Sequence, residues 1–144
     1  LVDPSGDSTQ MPTEEVQQYI GALESEAYSN VVGGYWSQIL TGSAETTQAK
    51  VTQDLCDTPK ATVVGVFKEL FKYNPVPALE RYDGPKLSVI TSINETPFSV
   101  HNLVPNLPHK MITETGHWLQ LDKPEEFNRI MDEFLSSVDN GSLL

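Results

Sequence analysis

The sequence predicts an α/β fold in which parallel strands carry flanking helices, with an all-helical segment inserted before the last strands. Three observations support this prediction. Apolar residues recur at helical spacing through residues 13–73, two short apolar strands follow at 86–91 and 109–113, and an amphipathic helix begins near Pro124. Because a short helix is predicted between the two strands, they should be parallel neighbours joined by a right-handed crossover.

The helical segment should contain four helices. Their predicted ranges are about 13–28, 31–40, 43–55 and 59–73, and the prolines of residues 74–77 end the last one. Aromatic residues such as Trp36, Tyr35, Phe67 and Phe71 recur at helical spacing in this segment. Such residues are typical of the core of a small bundle, but they would also line a ligand pocket if the segment were a lid.

The last predicted strand leads into a Gly-His loop, and the last helix follows that loop. Pro124 stands in the first helical turn, where proline is tolerated, and Glu125 and Glu126 complement the helix dipole. One apolar stripe runs along this helix and consists of Phe127, Ile130, Met131, Phe134, Leu135 and Val138.

Composition restricts the classes of partner and cofactor. The net charge is −11, which disfavours nucleic acid and anionic membrane surfaces, because both require a basic face. No apolar run reaches the roughly 18 to 20 residues of a membrane span. The single cysteine, Cys56, excludes an internal disulfide and fits a cytoplasmic protein. The three histidines show no metal-ligand spacing, so neither a metal nor another cofactor is expected.

The first residues resemble the end of a buried strand followed by a turn. Leu1-Val2-Asp3-Pro4 has this character, and a domain rarely begins inside a strand. We therefore expect the chain to be a carboxyl-terminal piece of a longer protein.

Two polar residues are expected to meet where the two predicted strands end. Glu95 follows the first strand and His117 follows the second, and parallel neighbours lie about 5 Å apart with their carboxyl ends at one edge. A carboxylate there would accept a hydrogen bond from the imidazole and stabilise the imidazolium. Gly116 would let the loop turn sharply. His101 and His109 are interpreted as structural.

At these residues the chain resembles the carboxyl-terminal part of the α/β-hydrolase fold family. The specific match is Thr115-Gly116-His117-Trp118 followed by residues 121–127, which is similar to the family's glycine-histidine loop and Pro-Glu-Glu-Phe helix start. The resemblance divides the chain into three parts. They are the end of a core strand with its turn (1–7), a helical cap or lid (8–78) and the carboxyl-terminal part of the sheet core (79–144).

The resemblance implies a catalytic role for His117 as the base of a nucleophile–acid–histidine triad. Glu95 is the first choice for the acid, although Ser92 replaces the glycine that the family usually has before it. Asp3 is the second choice, because some members carry the acid after the preceding strand. Trp36, Phe67 and Trp118 are expected to contact the substrate.

The nucleophile is absent from this sequence, which contains no Gly-x-Ser-x-Gly motif. The resemblance implies that it lies in an amino-terminal part preceding Leu1, so the chain alone should be inactive. Two strands and a strand end also leave an unpaired edge, and we expect a complementary polypeptide to cover it.

The expected function is hydrolysis of an ester or similar bond in a small molecule. One alternative is a non-catalytic protein of the same fold that holds a small ligand. Another is a dehalogenase or epoxide hydrolase with an aspartate nucleophile. The residue at the nucleophile position of the preceding part would separate these alternatives.

Overall fold

The computed structural model describes residues 1–141, within which eight α-helices and two short β-strands are formed. The helices are α1 (Thr13–Glu24), α2 (Tyr28–Ile39), α3 (Glu45–Asp57), α4 (Lys60–Leu70), α5 (Val76–Arg81), α6 (Val100–Leu103), α7 (Leu119–Asp122) and α8 (Pro124–Asp139). The strands are β1 (Ser88–Ile90) and β2 (His109–Met111). The predicted combination of a long helical segment with a parallel sheet is therefore present.

The sheet is small and its strands are parallel, as predicted. Ser88 of β1 pairs with His109 of β2, and Ile90 pairs with Met111. On the other side of β1, Val2 forms an isolated parallel bridge with Val89, and the Asp3 N–H donates to the Val89 carbonyl at 2.7 Å. The order across the sheet is therefore the Val2 segment, β1 and β2.

Two of the hydrophobic cores hold the elements around the site. The first lies within the helical segment and contains the buried residues Leu23, Val32, Val63, Val64 and Phe67. The second lies between the sheet and the last helices and contains Leu87, Val89, Ile112, Leu119 and Ile130. Phe127 and Phe134 of α8 pack on the second core, whereas Leu135 of the same predicted apolar stripe is 53% exposed.

The sequence prediction missed α5 because of its prolines. Residues 74–77 were expected to break the chain, yet α5 begins at Val76 with Pro77 in its first turn. Proline lacks an N–H, but the first N–H groups of a helix have no intrahelical acceptor in any case. The prolines therefore follow the end of α4, as predicted, and they also stand at the start of α5.

The loop of residues 115–117, hereafter the histidine loop, packs against the end of α2 and the turn after it. The His117 N–H donates to the Ile39 carbonyl at 2.8 Å. Gly116 permits this approach, since a Cβ there would lie 2.8 Å from the Ile39 carbonyl oxygen and would also collide with the Ser43 hydroxyl. Gly42 has a φ of 87°, in the left-handed region, and faces the Thr115 carbonyl. Glycine is therefore needed at position 116 for close packing.

We predict that Gly116→Ala destabilises the fold by about 1–3 kcal/mol, because the added methyl group must displace backbone atoms at the end of α2. Gly33→Ala is the matched control, since that helical glycine has open space around it and alanine there should stabilise α2 by about 0.5–1 kcal/mol. Urea unfolding followed by circular dichroism measures both changes. Equal stability of Gly116→Ala and the wild type would contradict the packing argument.

Candidate functional site

Three segments meet at the carboxyl end of the sheet. Asp3 follows the Val2 bridge, Thr91 and the turn of Ser92–Asn94 follow β1, and the histidine loop comes after β2. Parallel pairing brings these strand ends to one edge, which is where α/β folds commonly place functional side chains. The chain thus gathers residues that are far apart in sequence.

The central contact of the site joins Asp3 to His117. An Asp3 carboxylate oxygen (Oδ2) lies 2.7 Å from His117 Nδ1. The aspartate side chain is 1% exposed, whereas the imidazole is 42% exposed. With the carboxylate as acceptor, Nδ1 carries the hydrogen and Nε2 keeps the lone pair that can accept a proton. This is the arrangement of an acid–histidine pair that prepares the imidazole as a general base.

Other donors hold Asp3 in its ionised form. Its second oxygen (Oδ1) accepts hydrogen bonds from the Thr91 N–H at 2.8 Å and from the Thr91 hydroxyl at 3.0 Å. The Asn94 side chain donates to the Asp3 main-chain carbonyl at 3.3 Å. Burial raises the pKa of Asp3, but the donors on His117, Asn94 and Thr91 lower it more, so the pKa lies below its ordinary value. The carboxylate is therefore charged at neutral pH.

The backbone of Asp3 is itself unusual. Its φ is 38°, in the left-handed region that residues with a Cβ rarely adopt. Such a conformation costs about 1–3 kcal/mol and persists only where the surroundings impose it. Here the Val2 bridge and the Thr91 hydrogen bonds impose the left-handed backbone conformation of Asp3, which directs its carboxylate toward His117.

Glu95 does not make the expected contact with the imidazole. The turn of Ser92–Asn94 separates it from β1, and its side chain is exposed. Asp3 takes the hydrogen bond from His117 instead, and Glu95 lies near enough to His101 for its charge to act on that ring. Of the two candidate acids, Asp3 rather than Glu95 therefore contacts the imidazole. Thr91 and Asn94 were not identified from the sequence. Both follow a buried strand, and both donate hydrogen bonds to Asp3.

The three aromatic residues expected at a substrate site line one cavity. Trp36 of α2, Phe67 of α4 and Trp118 surround a space of about 250 Å³. The ring of Trp118 also contacts the His117 ring edge to face, with centroids 5.1 Å apart. The remaining wall is mainly apolar, with polar groups from α3 and α4: Val51, Asp54, Leu55, Thr58, Thr62, Val63 and Val66. The cavity therefore lies beside the histidine.

The other histidines take no part in this network. His101 and His109 stack on each other with ring centroids 4.4 Å apart. Burial and the neighbouring His109 lower the pKa of His101, while Glu95 opposes that change. Within residues 1–141, no three histidine, cysteine or acidic side chains lie close enough together to hold a metal ion. Over the same range, no helix has both the length and the apolar character that crossing a membrane requires.

We predict that Asp3→Asn destabilises the fold at neutral pH by about 1–3 kcal/mol, because a charged acceptor of three buried hydrogen bonds is lost. The pKa of Asp3 is depressed in the folded state, so the stabilisation is present above the unfolded pKa near 3.8 and is lost as pH falls through the lower folded value. The difference in unfolding free energy between Asp3→Asn and the wild type should therefore become smaller at low pH.

Glu95→Gln is the matched control for this prediction, since it removes one exposed charge at the same sheet edge. Urea unfolding at pH 7 and at pH 3 measures both variants. A pH-independent effect of Asp3→Asn, or an equal effect of Glu95→Gln, would contradict the role of the buried carboxylate.

Comparison with known proteins agrees with this architecture. No family model matches the chain. A solved structure described as "Est816 as an N-Acyl homoserine lactone degrading enzyme" superimposes with a TM-score of 0.66 at 20% identity, covering 92% of this chain and 56% of that one. A bifunctional epoxide hydrolase 2 from Sus scrofa is 45% identical over 45 residues, which are 31% of this chain and 8% of the relative.

The chain thus spans about half of the matched structure and a small part of the matched sequence. The structural likeness extends over nearly the whole chain, and its low identity makes it a statement about fold. These comparisons confirm the resemblance stated from the sequence at the level of fold: the chain is similar to an α/β-hydrolase type of structure over 92% of its length.

Proposed function

We propose that this chain supplies the histidine, the acid and the substrate-covering helices of a hydrolase that acts on a small molecule. The observation that carries the proposal is the 2.7 Å contact between the buried Asp3 carboxylate and His117 Nδ1. A buried, charged carboxylate on Nδ1 fixes the tautomer of the imidazole and leaves Nε2 free to accept a proton, as a general base requires. The similarity to two proteins named as hydrolytic or degrading enzymes supports the same class.

In the proposed mechanism His117 acts as the base. Its Nε2 removes a proton from a nucleophile, or from water in a second step, while an electrophilic carbon of the substrate is attacked. Asp3 keeps the hydrogen on Nδ1 and stabilises the imidazolium that forms. Glu95 has no part in this scheme. Neither a metal nor another cofactor enters it.

The proposed substrate is a small molecule with an apolar group. Helices α2, α3 and α4 would act as the cap, and the cavity bounded by Trp36, Phe67 and Trp118 would hold that group. The likeness to a protein described as degrading a lactone favours an ester-type bond.

A second chemistry is supported by a separate observation. The 45-residue similarity to an epoxide hydrolase favours an enzyme in which an aspartate is the nucleophile. His117 and Asp3 would then activate the hydrolytic water. A protein of this fold that binds a ligand without turnover is the remaining alternative, and it requires no proton transfer by His117.

The proposal requires a complementary polypeptide that carries the nucleophile. Residues 1–141 leave the strand end at Leu1 and Val2 at the sheet edge, where these apolar side chains are 46% and 44% exposed. An exposed apolar edge readily pairs with another strand. We propose that the nucleophile-bearing part pairs there.

We predict that His117→Ala in the complete protein lowers turnover by at least about 1,000-fold, because loss of a triad member leaves only binding and oxyanion stabilisation. Hydrolysis of a p-nitrophenyl ester and opening of an aryl epoxide would be measured in parallel. His109→Ala is the matched control, because this exposed histidine lies outside the Asp3 network. Retained turnover in His117→Ala would refute the assignment.

We predict that the 144-residue chain alone self-associates and that its complementary part converts it to a defined complex. Val2→Lys should reduce self-association, since a charge on an edge strand opposes pairing, while Leu135→Lys on α8 should not. Light scattering coupled to size exclusion measures the masses. A monodisperse monomer of the unmodified chain would contradict this proposal.

A further inference from the structure

We infer that Asp122 is a positioning residue for His117, because its carboxylate ties the histidine loop to the first turn of α3. This inference rests on the proposed function of His117 as a base. Asp3 holds the imidazole ring, and Asp122 holds the backbone that carries the ring. The two aspartates therefore restrict different parts of the same residue.

The carboxylate of Asp122 accepts hydrogen bonds from two segments of the chain. One oxygen (Oδ2) accepts from the Thr115 hydroxyl at 2.7 Å and from the Gly116 N–H at 3.2 Å. The other oxygen (Oδ1) accepts from the Ala44 N–H at 3.0 Å, across 78 positions of sequence. Ala44 is the residue immediately before α3, so its N–H belongs to the unsatisfied start of that helix.

Asp122 is itself held firmly in place. It ends α7, a single turn in which the Asp122 N–H donates to the Trp118 carbonyl at 3.2 Å. Leu119, in the same turn, is fully buried in the core beneath the sheet. The carboxylate is thus anchored to the sheet core, and the histidine loop is fastened to it.

The charge of Asp122 suits this role. Burial raises its pKa, but the nearby Thr47 and Thr115 hydroxyls and the Ala44 N–H lower the pKa more, so it lies below the ordinary value. A carboxylate that is ionised at neutral pH accepts stronger hydrogen bonds than a neutral group does. The start of α3 adds a favourable dipole.

The same carboxylate also joins the histidine to the wall of the cavity. Helix α3 contributes Val51, Asp54 and Leu55 to that wall, and its first turn is fixed by the Ala44 hydrogen bond to Asp122. The His117 N–H bond to Ile39 fastens the histidine loop to the end of α2, which carries Trp36. These hydrogen bonds therefore fix the distance between His117 and the cavity. A displacement of about 1 Å between a base and its substrate can lower the rate about 100-fold.

Kinetics of the complete protein test this inference. Asp122→Asn replaces one acceptor oxygen by a donor, so the loop should shift, and kcat should fall about 10- to 100-fold with a smaller change in KM. Asp122→Glu keeps the carboxylate and should recover part of kcat. Asp132→Asn is the matched control, because it removes an equal charge from the exposed face of α8 and should leave kcat unchanged.

Thr115→Val provides a second variant that keeps Asp122 and the Ala44 bond. It removes the Thr115 hydroxyl from Oδ2 and leaves the carboxylate in place, and the kcat of the folded variant should fall. If Asp122→Asn lowers the unfolding midpoint but leaves the kcat of the folded protein equal to that of the wild type, the residue is merely structural and the inference is overturned.

Amide hydrogen exchange gives a readout that does not depend on turnover. At least one of the Gly116 and Ala44 amides should exchange faster in Asp122→Asn than in Asp132→Asn, because they donate to different carboxylate oxygens and asparagine keeps only one of the two. Unchanged exchange at both amides would overturn the inference even if His117→Ala abolishes turnover. Conversely, full activity of His117→Ala would refute the proposed function, while faster exchange would still support the attachment of the loop to Asp122.

Discussion

The hydrogen bond between Asp3 and His117 joins residues that are 114 positions apart, and the surrounding structure makes that contact possible. It requires the Val2 segment, β1 and β2 to run parallel, so that three strand ends lie at one edge. It also requires the left-handed backbone of Asp3 and the two donors of Thr91. Because the carboxylate is buried and charged, loss of the imidazole would leave its side chain with the two Thr91 donors alone.

The helical segment is fastened to the histidine from several sides. The Ile39 carbonyl accepts a hydrogen bond from the His117 N–H, and the absence of a side chain at Gly116 lets the end of α2 approach closely. The Asp122 carboxylate accepts hydrogen bonds from the histidine loop and from Ala44, the residue before α3. These contacts make the segment a fixed wall next to the imidazole. In the proposed function this segment is the cap, and it would select substrates by the shape of a preformed cavity, since its position relative to His117 does not need to be established on binding.

The cavity and the base are consistent with hydrolysis of small, partly apolar molecules. Trp118 belongs to both, because it lines the cavity and contacts the His117 ring. Residues 1–141 place Asp3 and His117 together but contain no serine-containing elbow, and the apolar side chains of Leu1 and Val2 are exposed at the edge of the sheet. Likeness in fold to a lactone-degrading enzyme and a short similarity to an epoxide hydrolase leave the nucleophile as the feature that separates the two chemistries.

Local patterns in the sequence determined the parallel strand pair, the position of His117 after β2 and the buried face of α8, because periodicity and short crossovers depend on neighbouring residues. They also identified the aromatic residues that share the cavity. Tertiary structure alone decided that Asp3, rather than Glu95, contacts the His117 ring. That choice depends on the turn of Ser92–Asn94 and on the φ of Asp3, both of which are imposed by pairing between segments distant in sequence. The role of Asp122 likewise arises only where α3 and the histidine loop meet.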